Sequence, residues 1–169
     1  MARDPKYDIL FEPVQIGPVT APNRFYQVPH CNVLGHARPR AEAENRRIKA
    51  EGGWGVVCTQ EVEIHPSSEL APFIEGRIWD ERDIPQHRLM TDAVHEHGAL
   101  AGLELVYNGF HASNLYSRIA PMAPSPIVAH YLNPIQARGM NRRDIANPRR
   151  GTSRGKPRYP PVPSPGSAP

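Results

Sequence analysis

Two continuous apolar runs, each preceded by a helical segment, most constrain how this chain folds. They are "WGVVCTQEVEI" at residues 54–64 and "ALAGLELVY" at residues 99–107. Runs that do not alternate between apolar and polar residues are typical of parallel strands covered on both faces. A shorter β-rich run, "RFYQV" at residues 24–28, lies before them and is stopped by a proline. We therefore predict three parallel strands.

Helical segments connect these strands. Residues 38–53 have a proline near their start and end in Gly-Gly, and residues 84–98 follow Asp83, the expected N-cap, and end in glycine. The second helix is expected to turn one apolar face to the core, consisting of Leu89, Ala93 and Val94. The order strand, helix, strand, helix, strand predicts an α/β fold made of βαβ units.

The remaining segments predict less regular structure. Residues 65–83 and 108–140 are expected to be long loops, and residues 141–147 to open a third helix. Residues 148–169 are rich in proline and arginine and show no periodicity, which predicts a disordered tail.

Composition excludes several classes of function. A net charge of +3 without a basic face carrying aromatic residues does not indicate nucleic-acid binding. The two cysteines do not indicate a disulfide framework. The N-terminus lacks the apolar region of a signal peptide, and no apolar run is long enough to span a bilayer. We expect a soluble cytoplasmic protein that does not bind membranes.

The stretch "FYQVPHCNVLG" at residues 25–35 places Cys31 just after a predicted strand. Ligands of parallel-sheet folds bind at the carboxyl ends of strands, so Cys31 is a candidate site residue. A small buried thiol is the commoner role of a free cysteine, and for Cys58, in the middle of a strand, we expect that role. The histidines near Cys31 lack the spacing of a metal site, and no metal ligand is predicted.

Polar residues also close or interrupt the predicted strands. Gln60, Glu61 and Glu63 end the second strand, where they either line a pocket or are simply solvated. Glu104 lies between two leucines of the third strand. A carboxylate in a buried strand must be paired or become neutral, so Glu104 is a site candidate, the alternative being a structural hydrogen bond.

Three long segments resemble, in order, the N-terminal part of the old yellow enzyme family of NADH:flavin oxidoreductases. They are "LFEPVQIGPVTAPNRFYQVPHC", "AEGGWGVVCTQEVEIHPSSE" and "RIWDERDIPQHRLMTDAVHEHGALAGLELVYNGFHASN". Within this family they look most like bacterial trimethylamine and dimethylamine dehydrogenases. The resemblance implies a (βα)8 TIM barrel with FMN at the carboxyl ends of its strands. This chain would supply the N-terminal portion, about three strands and two to three helices.

The resemblance also implies roles for single residues. The cysteine of the "VPHC" motif, Cys31 here, would form a 6-S-cysteinyl bond to FMN. Pro29 and His30 would lie against the flavin, and Glu104 would lie near its pyrimidine ring. Glu61 falls where the trimethylamine enzymes have a substrate-cage tyrosine, and its backbone would approach the flavin. The dimethylamine-type pattern runs Glu then Gln where this chain has Gln60-Glu61, so the substrate is not assigned.

The implied reaction is oxidative demethylation of a small methylamine by hydride transfer to covalently bound FMN. The resemblance further implies an electron-transfer flavoprotein as partner and an oligomeric full-length enzyme. Two alternatives stay open: an NAD(P)H:flavin oxidoreductase of the ene-reductase type, and a non-enzymatic relict or binding module. In the second, the tail segment "PPVPSP" would engage an SH3-like groove.

The chain departs from the family in length. Residues 1–147 would be the N-terminal part of the FMN-binding barrel, and residues 148–169 the tail. The catalytic proton-transfer groups and the 4Fe-4S cluster of full-length members would lie outside this chain, so no catalytic residue is predicted. Three strands cannot close a barrel, so we expect the chain alone to be inactive.

The abrupt change in composition also predicts a frameshift near residues 147–151, which resequencing would test.

Overall fold

A parallel sheet built on one eight-residue strand forms the centre of the structure. The computed structural model describes residues 4–70, 75–128 and 135–150. In chain order the strands are β1 (Val14–Ile16), β2 (Val19–Ala21), β3 (Tyr26–Gln27), β4 (Val56–Glu63), β5 (Gly76–Arg77), β6 (Leu100–Val106), β7 (Met122–Ala123) and β8 (Arg138–Gly139). The α-helices are α1 (Pro39–Glu51), α2 (Ile84–His95) and α3 (Arg142–Arg150).

Strand β4 pairs in parallel with strands on both of its edges. Val56 is the partner of Tyr26 in β3 and of Leu100 in β6, so these two strands lie on opposite sides of β4. The short β5 pairs with the far end of β4, at Val62 and Glu63. The three predicted strands correspond to β3, β4 and β6, and their predicted parallel order is confirmed. Their carboxyl ends therefore meet at one edge of the sheet.

Helices α1 and α2, the two predicted helices, cover one face of this sheet. Each begins with a proline in its first turn, where the missing N–H costs no helical hydrogen bond. The helices and the sheet enclose one apolar cluster, which consists of Ala43, Ala50, Val57, Met90, Val94 and Ala99. Its alanines are small, which lets the two helices approach the sheet closely.

The details predicted for α2 are confirmed in part. Leu89, predicted to be in the core, is 41% exposed, whereas its neighbour Met90 is 1% exposed. Val94 belongs to the apolar cluster and Ala93 packs against it, as predicted, so the buried face includes Met90 in place of Leu89. Asp83 occupies the N-cap position of α2, as predicted, but its side chain makes no capping hydrogen bond to that helix. Its carboxylate instead accepts hydrogen bonds from the Arg77 side chain, at 2.8 Å, and from the Trp79 backbone, at 2.9 Å.

The prediction that the third strand is buried on both faces is also wrong. Ala101 of β6 packs against the cluster below the helices, but Leu103 and Leu105 are 40% and 60% exposed. In the described residues β6 is the edge strand of its sheet, and no helix covers these leucines. Burial of an edge strand depends on what packs against it, which the apolar run itself does not reveal.

An antiparallel hairpin, β1 and β2, was not predicted. Its turn includes Gly17 at a φ of +54°, a left-handed conformation that glycine adopts without strain. Ala21 at the end of β2 packs against Val56 and Cys58 in a second apolar cluster. The hairpin thus covers the beginning of β4 on the face turned away from α1 and α2.

The segment after β6 contains more regular structure than the predicted loop. Strands β7 and β8 form a separate two-stranded parallel sheet. Helix α3 begins at Arg142, one residue after the predicted opening, and continues to Arg150. Residues 148–150, predicted to belong to the disordered tail, are therefore helical, and that part of the prediction is wrong. The predicted tail from residue 151 onward lies outside the described residues.

Candidate functional site

The candidate site lies at the edge of the sheet where β3, β4 and β6 end. Cys31 follows β3 by four residues and is exposed, so the expectation of a buried thiol does not hold for it. Pro29 is half-buried and His30 is exposed beside it. Cys58 lies inside β4 and is buried, as predicted.

The surroundings of Cys31 bring three of the predicted residues together. Partial burial raises the pKa of the Cys31 thiol, while a hydrogen bond from the Glu61 backbone lowers it. The carboxylates of Glu75, Glu61 and Glu104 raise this pKa further. Cys31 is therefore within electrostatic reach of both predicted carboxylates, and at neutral pH it is held mainly as the thiol.

Glu61 and Glu104 are partners in the register between β4 and β6. Burial raises the pKa of Glu61 first, and the charges of Glu104 and Glu75 add to the shift. In the described residues, the Oε2 atom of Glu61 is buried without a hydrogen-bond partner. A buried, unpartnered carboxyl oxygen at a strand end is available to a ligand.

Glu104 does not have the buried environment predicted for it. Its side chain is exposed, because β6 is an edge strand. Its backbone N–H donates to the Thr59 hydroxyl at 3.3 Å, where the β4–β6 ladder is irregular between Cys58 and Glu61. The prediction that Glu104 is buried, and therefore must be paired or neutral, is wrong. Its role at the flavin stays a prediction.

A contact between Tyr26 and Cys58 lies on the sheet face turned away from the helices and was not predicted. The Cys58 thiol donates to the Tyr26 hydroxyl at 2.9 Å. The pKa of Tyr26 is raised, first by its hydrogen bond with Cys58 when the phenol is the donor, then by burial and by the charges of Cys58 and Glu104. Gly102 lies opposite Cys58, and a Cβ there would lie 2.5 Å from the Cys58 sulfur.

A second polar cluster lies beyond the end of β4. Glu63 is 1% exposed, and its Oε1 accepts the Leu70 backbone N–H at 3.1 Å. Burial is the first cause that raises the pKa of Glu63 to about 8, with Glu69 and Glu61 among the charges that add to it.

Glu69, also fully buried, holds the loop that follows β6. Its carboxylate accepts the backbone N–H groups of Tyr116 and Ser117, each at 2.9 Å. Its backbone N–H donates to the Asn114 side chain at 2.9 Å. The loop "YNGFHASN" at residues 107–114 is thus tied to the end of β4, which places it beside the candidate site.

The groups at this edge fit the ring of FMN better than its phosphate. An exposed thiol and an unpartnered carboxyl oxygen lie together there, and both are groups that contact ring atoms. The acidic side chains around Cys31 repel a phosphate. We therefore expect this part of the chain to hold the ring.

Sequence reasoning missed the residues that support the Cys31 loop, chiefly Glu42, Arg46 and Glu75. The first two are an i,i+4 pair in α1, a spacing that surface ion pairs share. Glu75 lies just before a two-residue strand that no periodicity announces.

Among the described residues, no helix is both long and apolar enough to cross a lipid bilayer. In the same residues, no group of three or more His, Cys, Asp or Glu side chains is arranged to hold a metal ion.

Comparison with known proteins identifies related sequences and structures. Residues 9–150 match the model of the NADH:flavin oxidoreductase / NADH oxidase family. Dimethylamine dehydrogenase of Hyphomicrobium sp. (strain x) is 51% identical over 125 residues, which are 74% of this chain and 17% of that protein.

Two solved structures share the fold. Histamine dehydrogenase from Rhizobium sp. 4-9 superposes with a TM-score of 0.83 at 53% identity, covering 88% of this chain and 23% of the other. The 6-hydroxypseudooxynicotine amine oxidase from Pseudomonas geniculata N1 superposes with a TM-score of 0.84 at 47% identity, covering 89% of this chain and 23% of the other. The chain thus spans less than a quarter of the length of these proteins.

Proposed function

Because the chain belongs to the NADH:flavin oxidoreductase / NADH oxidase family, we propose that it is the N-terminal, flavin-binding part of an FMN-dependent amine dehydrogenase. Its sheet and helices are the N-terminal portion of that family's barrel, and in the described residues the sheet does not close. One observation carries the proposal. This chain is about half identical to dimethylamine dehydrogenase and to histamine dehydrogenase, both named for amine substrates.

Cys31 is proposed as the attachment point of FMN. Its sulfur would bond to carbon 6 of the ring, the thiol hydrogen and the ring hydrogen would leave as protons, and dioxygen would take up the two electrons to give hydrogen peroxide. The exposure of Cys31 at the end of a parallel strand supports this role. Because its thiol pKa is raised, the attachment is expected to be faster at higher pH.

The other predicted residues are proposed to surround the ring. Pro29 and His30 lie beside Cys31, and Glu61 and Glu104 lie on the neighbouring strands. The carboxylates also favour a cationic amine near the ring. When bound, FMN accepts a hydride equivalent from the carbon next to the amine nitrogen, giving an imine that water converts to an aldehyde and a smaller amine.

For the whole enzyme we further propose an electron-transfer flavoprotein as acceptor, an oligomeric state and a cytoplasmic location. The chain alone is proposed to be inactive, because the sheet of the described residues leaves the barrel open. A second candidate, an NAD(P)H:flavin oxidoreductase, is favoured by the description of the matching family.

A chimaera separates the two candidates. Residues 9–150 would replace the matching segment of dimethylamine dehydrogenase, and flavin absorbance would be followed without oxygen. Bleaching by dimethylamine but not by NADPH supports the amine dehydrogenase. Bleaching by NADPH alone supports the second candidate and overturns the proposal. The unmodified relative is the control for each donor.

A further inference from the structure

We infer that Arg46 is a positioning residue for Cys31, because its buried guanidinium and the Glu42 carboxylate hold the chain on both sides of the thiol. The importance of Cys31 rests on the proposed function, whereas the support of its loop is visible in the described residues. Cys31 lies between β3 and α1, outside any strand or helix. A thiol in such a loop needs contacts from elsewhere to point in one direction.

Arg46 reaches three partners from the buried side of α1. Its side chain is 0% exposed, and its Nε donates to Glu42 Oε1 at 2.6 Å. One terminal nitrogen donates to the His30 carbonyl at 2.8 Å, and the other to Gln27 Oε1 at 3.2 Å. Arg46 therefore fixes the end of β3 and the residue directly before Cys31.

Glu42 extends this support to the residue directly after Cys31. Its second oxygen, Oε2, accepts the Asn32 side-chain N–H at 2.7 Å. The Asn32 oxygen in turn accepts the Leu34 backbone N–H at 3.0 Å. The same ion pair thus holds the loop at both neighbours of Cys31.

Glu75 supports the far side of the loop. Its Oε2 accepts the Val33 backbone N–H at 2.9 Å, and its carbonyl accepts the His36 backbone N–H at 2.8 Å. Val33 has a φ of +58°, a left-handed conformation unfavourable for a β-branched residue. Such strain persists where surrounding contacts fix the backbone, and here α1 and the segment before β5 provide those contacts.

The planar guanidinium is necessary for this arrangement. It presents donors in several fixed directions, and Arg46 uses three of them at once. A lysine keeps the charge beside Glu42 but carries a single ammonium group on a flexible stem. We therefore expect Arg46→Lys to keep the ion pair and lose the hold on the His30 carbonyl.

Arg47, the next residue of α1, provides a matched control. Its side chain is 28% exposed and pairs with Glu44 and Glu51 on the surface of the helix. Arg47→Lys makes the same substitution in the same helix without touching the Cys31 loop.

The first measurement is the alkylation rate of Cys31 by iodoacetamide across pH 6–10, located by peptide mass spectrometry in the full chain without flavin. A released loop removes the remaining burial of the exposed thiol and moves it away from the carboxylates, which lowers its pKa towards the ordinary value and increases the thiolate fraction. We expect Arg46→Lys to alkylate several-fold faster near neutral pH, and Arg47→Lys to match the wild type. Unchanged rate and pH profile in Arg46→Lys would overturn the inference.

Asn32→Ala provides a second test, because it removes one loop contact and leaves the buried ion pair intact. It should shift the alkylation profile in the same direction as Arg46→Lys while the melting temperature stays near that of the wild type. A lowered melting temperature with an unchanged profile in both variants would assign Arg46 a merely structural role and overturn the inference.

Incubation with FMN in air then separates this inference from the proposed function. We expect Arg46→Lys to carry less covalent flavin than the wild type in the denatured mass spectrum. Equal labelling would contradict the positioning role and leave the proposed function intact. If the wild type itself took up no covalent flavin, the attachment proposal would fail, while the alkylation profiles would still decide the role of Arg46.

Discussion

The two cysteines have opposite environments. Cys58 lies within β4, and Cys31 follows the end of the adjacent strand β3. Cys58 is buried in β4 and donates to the Tyr26 hydroxyl, whereas Cys31 is exposed where β3 ends. Accessibility therefore directs any flavin attachment to Cys31. The raised pKa of Cys31 limits its thiolate fraction at neutral pH, so its reactivity depends on how its loop is held.

Glu63 makes the stability of the fold depend on pH. Its pKa is raised to about 8 from the ordinary 4.5, first by burial. Between pH 4.5 and pH 8, Glu63 of the folded chain keeps a proton that the same group releases in the unfolded chain. The stability it contributes is complete below pH 4.5 and is lost as the pH rises through 8.

We predict that Glu63→Gln is more stable than the wild type at pH 8.5 by on the order of a few kcal/mol, and similar to it at pH 5. Urea unfolding at both pH values measures the difference. Burial lowers the pKa values of His36 and His65. These histidines change the stability of the wild type and of Glu63→Gln equally, so they cancel in the comparison. Glu96→Gln, which changes an exposed carboxylate, should leave the free energy of unfolding unchanged at both pH 5 and pH 8.5. An equal decline in stability in the wild type and Glu63→Gln would contradict the prediction.

Glu42 and Arg46 show what a sequence does not reveal about single residues. The segment "EAENRRIKAE" contains several Glu–Arg pairs with helical spacing. One is buried under the Cys31 loop, while the pairs that Arg47 makes lie on the surface. The buried pair has i,i+4 spacing, and the surface pairs have i,i+3 and i,i+4 spacing, so spacing does not separate them. The difference comes from which face of α1 meets the sheet. Cys31 itself was identified through a motif resemblance, because its own pattern also allowed a buried thiol.

Elements with strong local signals were predictable, and those that depend on their neighbours were not. Helices α1 and α2 and strand β4 have periodicity, prolines and glycines that agree with their observed bounds. The hairpin of β1 and β2 and the two-residue β5 are too short for a periodic signal. The exposure of β6 depends on whether another element covers it, and the apolar run of β6 does not encode that.

The pairing of β4 with β6 requires glycine opposite Cys58. A Cβ at Gly102 would lie 2.5 Å from the Cys58 sulfur. We predict that Gly102→Ala destabilises the chain by about 1–3 kcal/mol, because the added methyl group overpacks this position.

A double-mutant cycle with Cys58→Ala isolates this contact. Removing the sulfur makes room for the methyl group, so the double variant should be more stable than the sum of the two single effects predicts, by about 1 kcal/mol. Urea unfolding of the wild type, the two single variants and the double variant measures the four free energies of unfolding. Strictly additive effects would show that Gly102 is required for another reason.

At the scale of the whole molecule, the sheet is open where a barrel would continue. Leu103 and Leu105 are exposed on β6, whose outer edge is unpaired in the described residues. Exposed edge strands with apolar side chains are templates for association between chains.

We therefore predict that the chain associates with itself as its concentration rises, and that Leu105→Lys reduces this association. Sedimentation velocity over a range of concentrations measures both effects. Ile127→Lys is the control, because Ile127 is 45% exposed but lies outside this sheet. A wild-type chain that stays monomeric at every concentration would contradict the prediction.

The intact mass of the denatured chain, after incubation with FMN in air, tests the central claim most directly. The account predicts a mass increased by one FMN less two hydrogens, with flavin absorbance that survives denaturation. Cys31→Ser should abolish this increase, and Cys58→Ser should keep it. A wild-type chain with no added mass, or an equal increase in Cys31→Ser, would contradict the claim that Cys31 is the attachment point of the flavin.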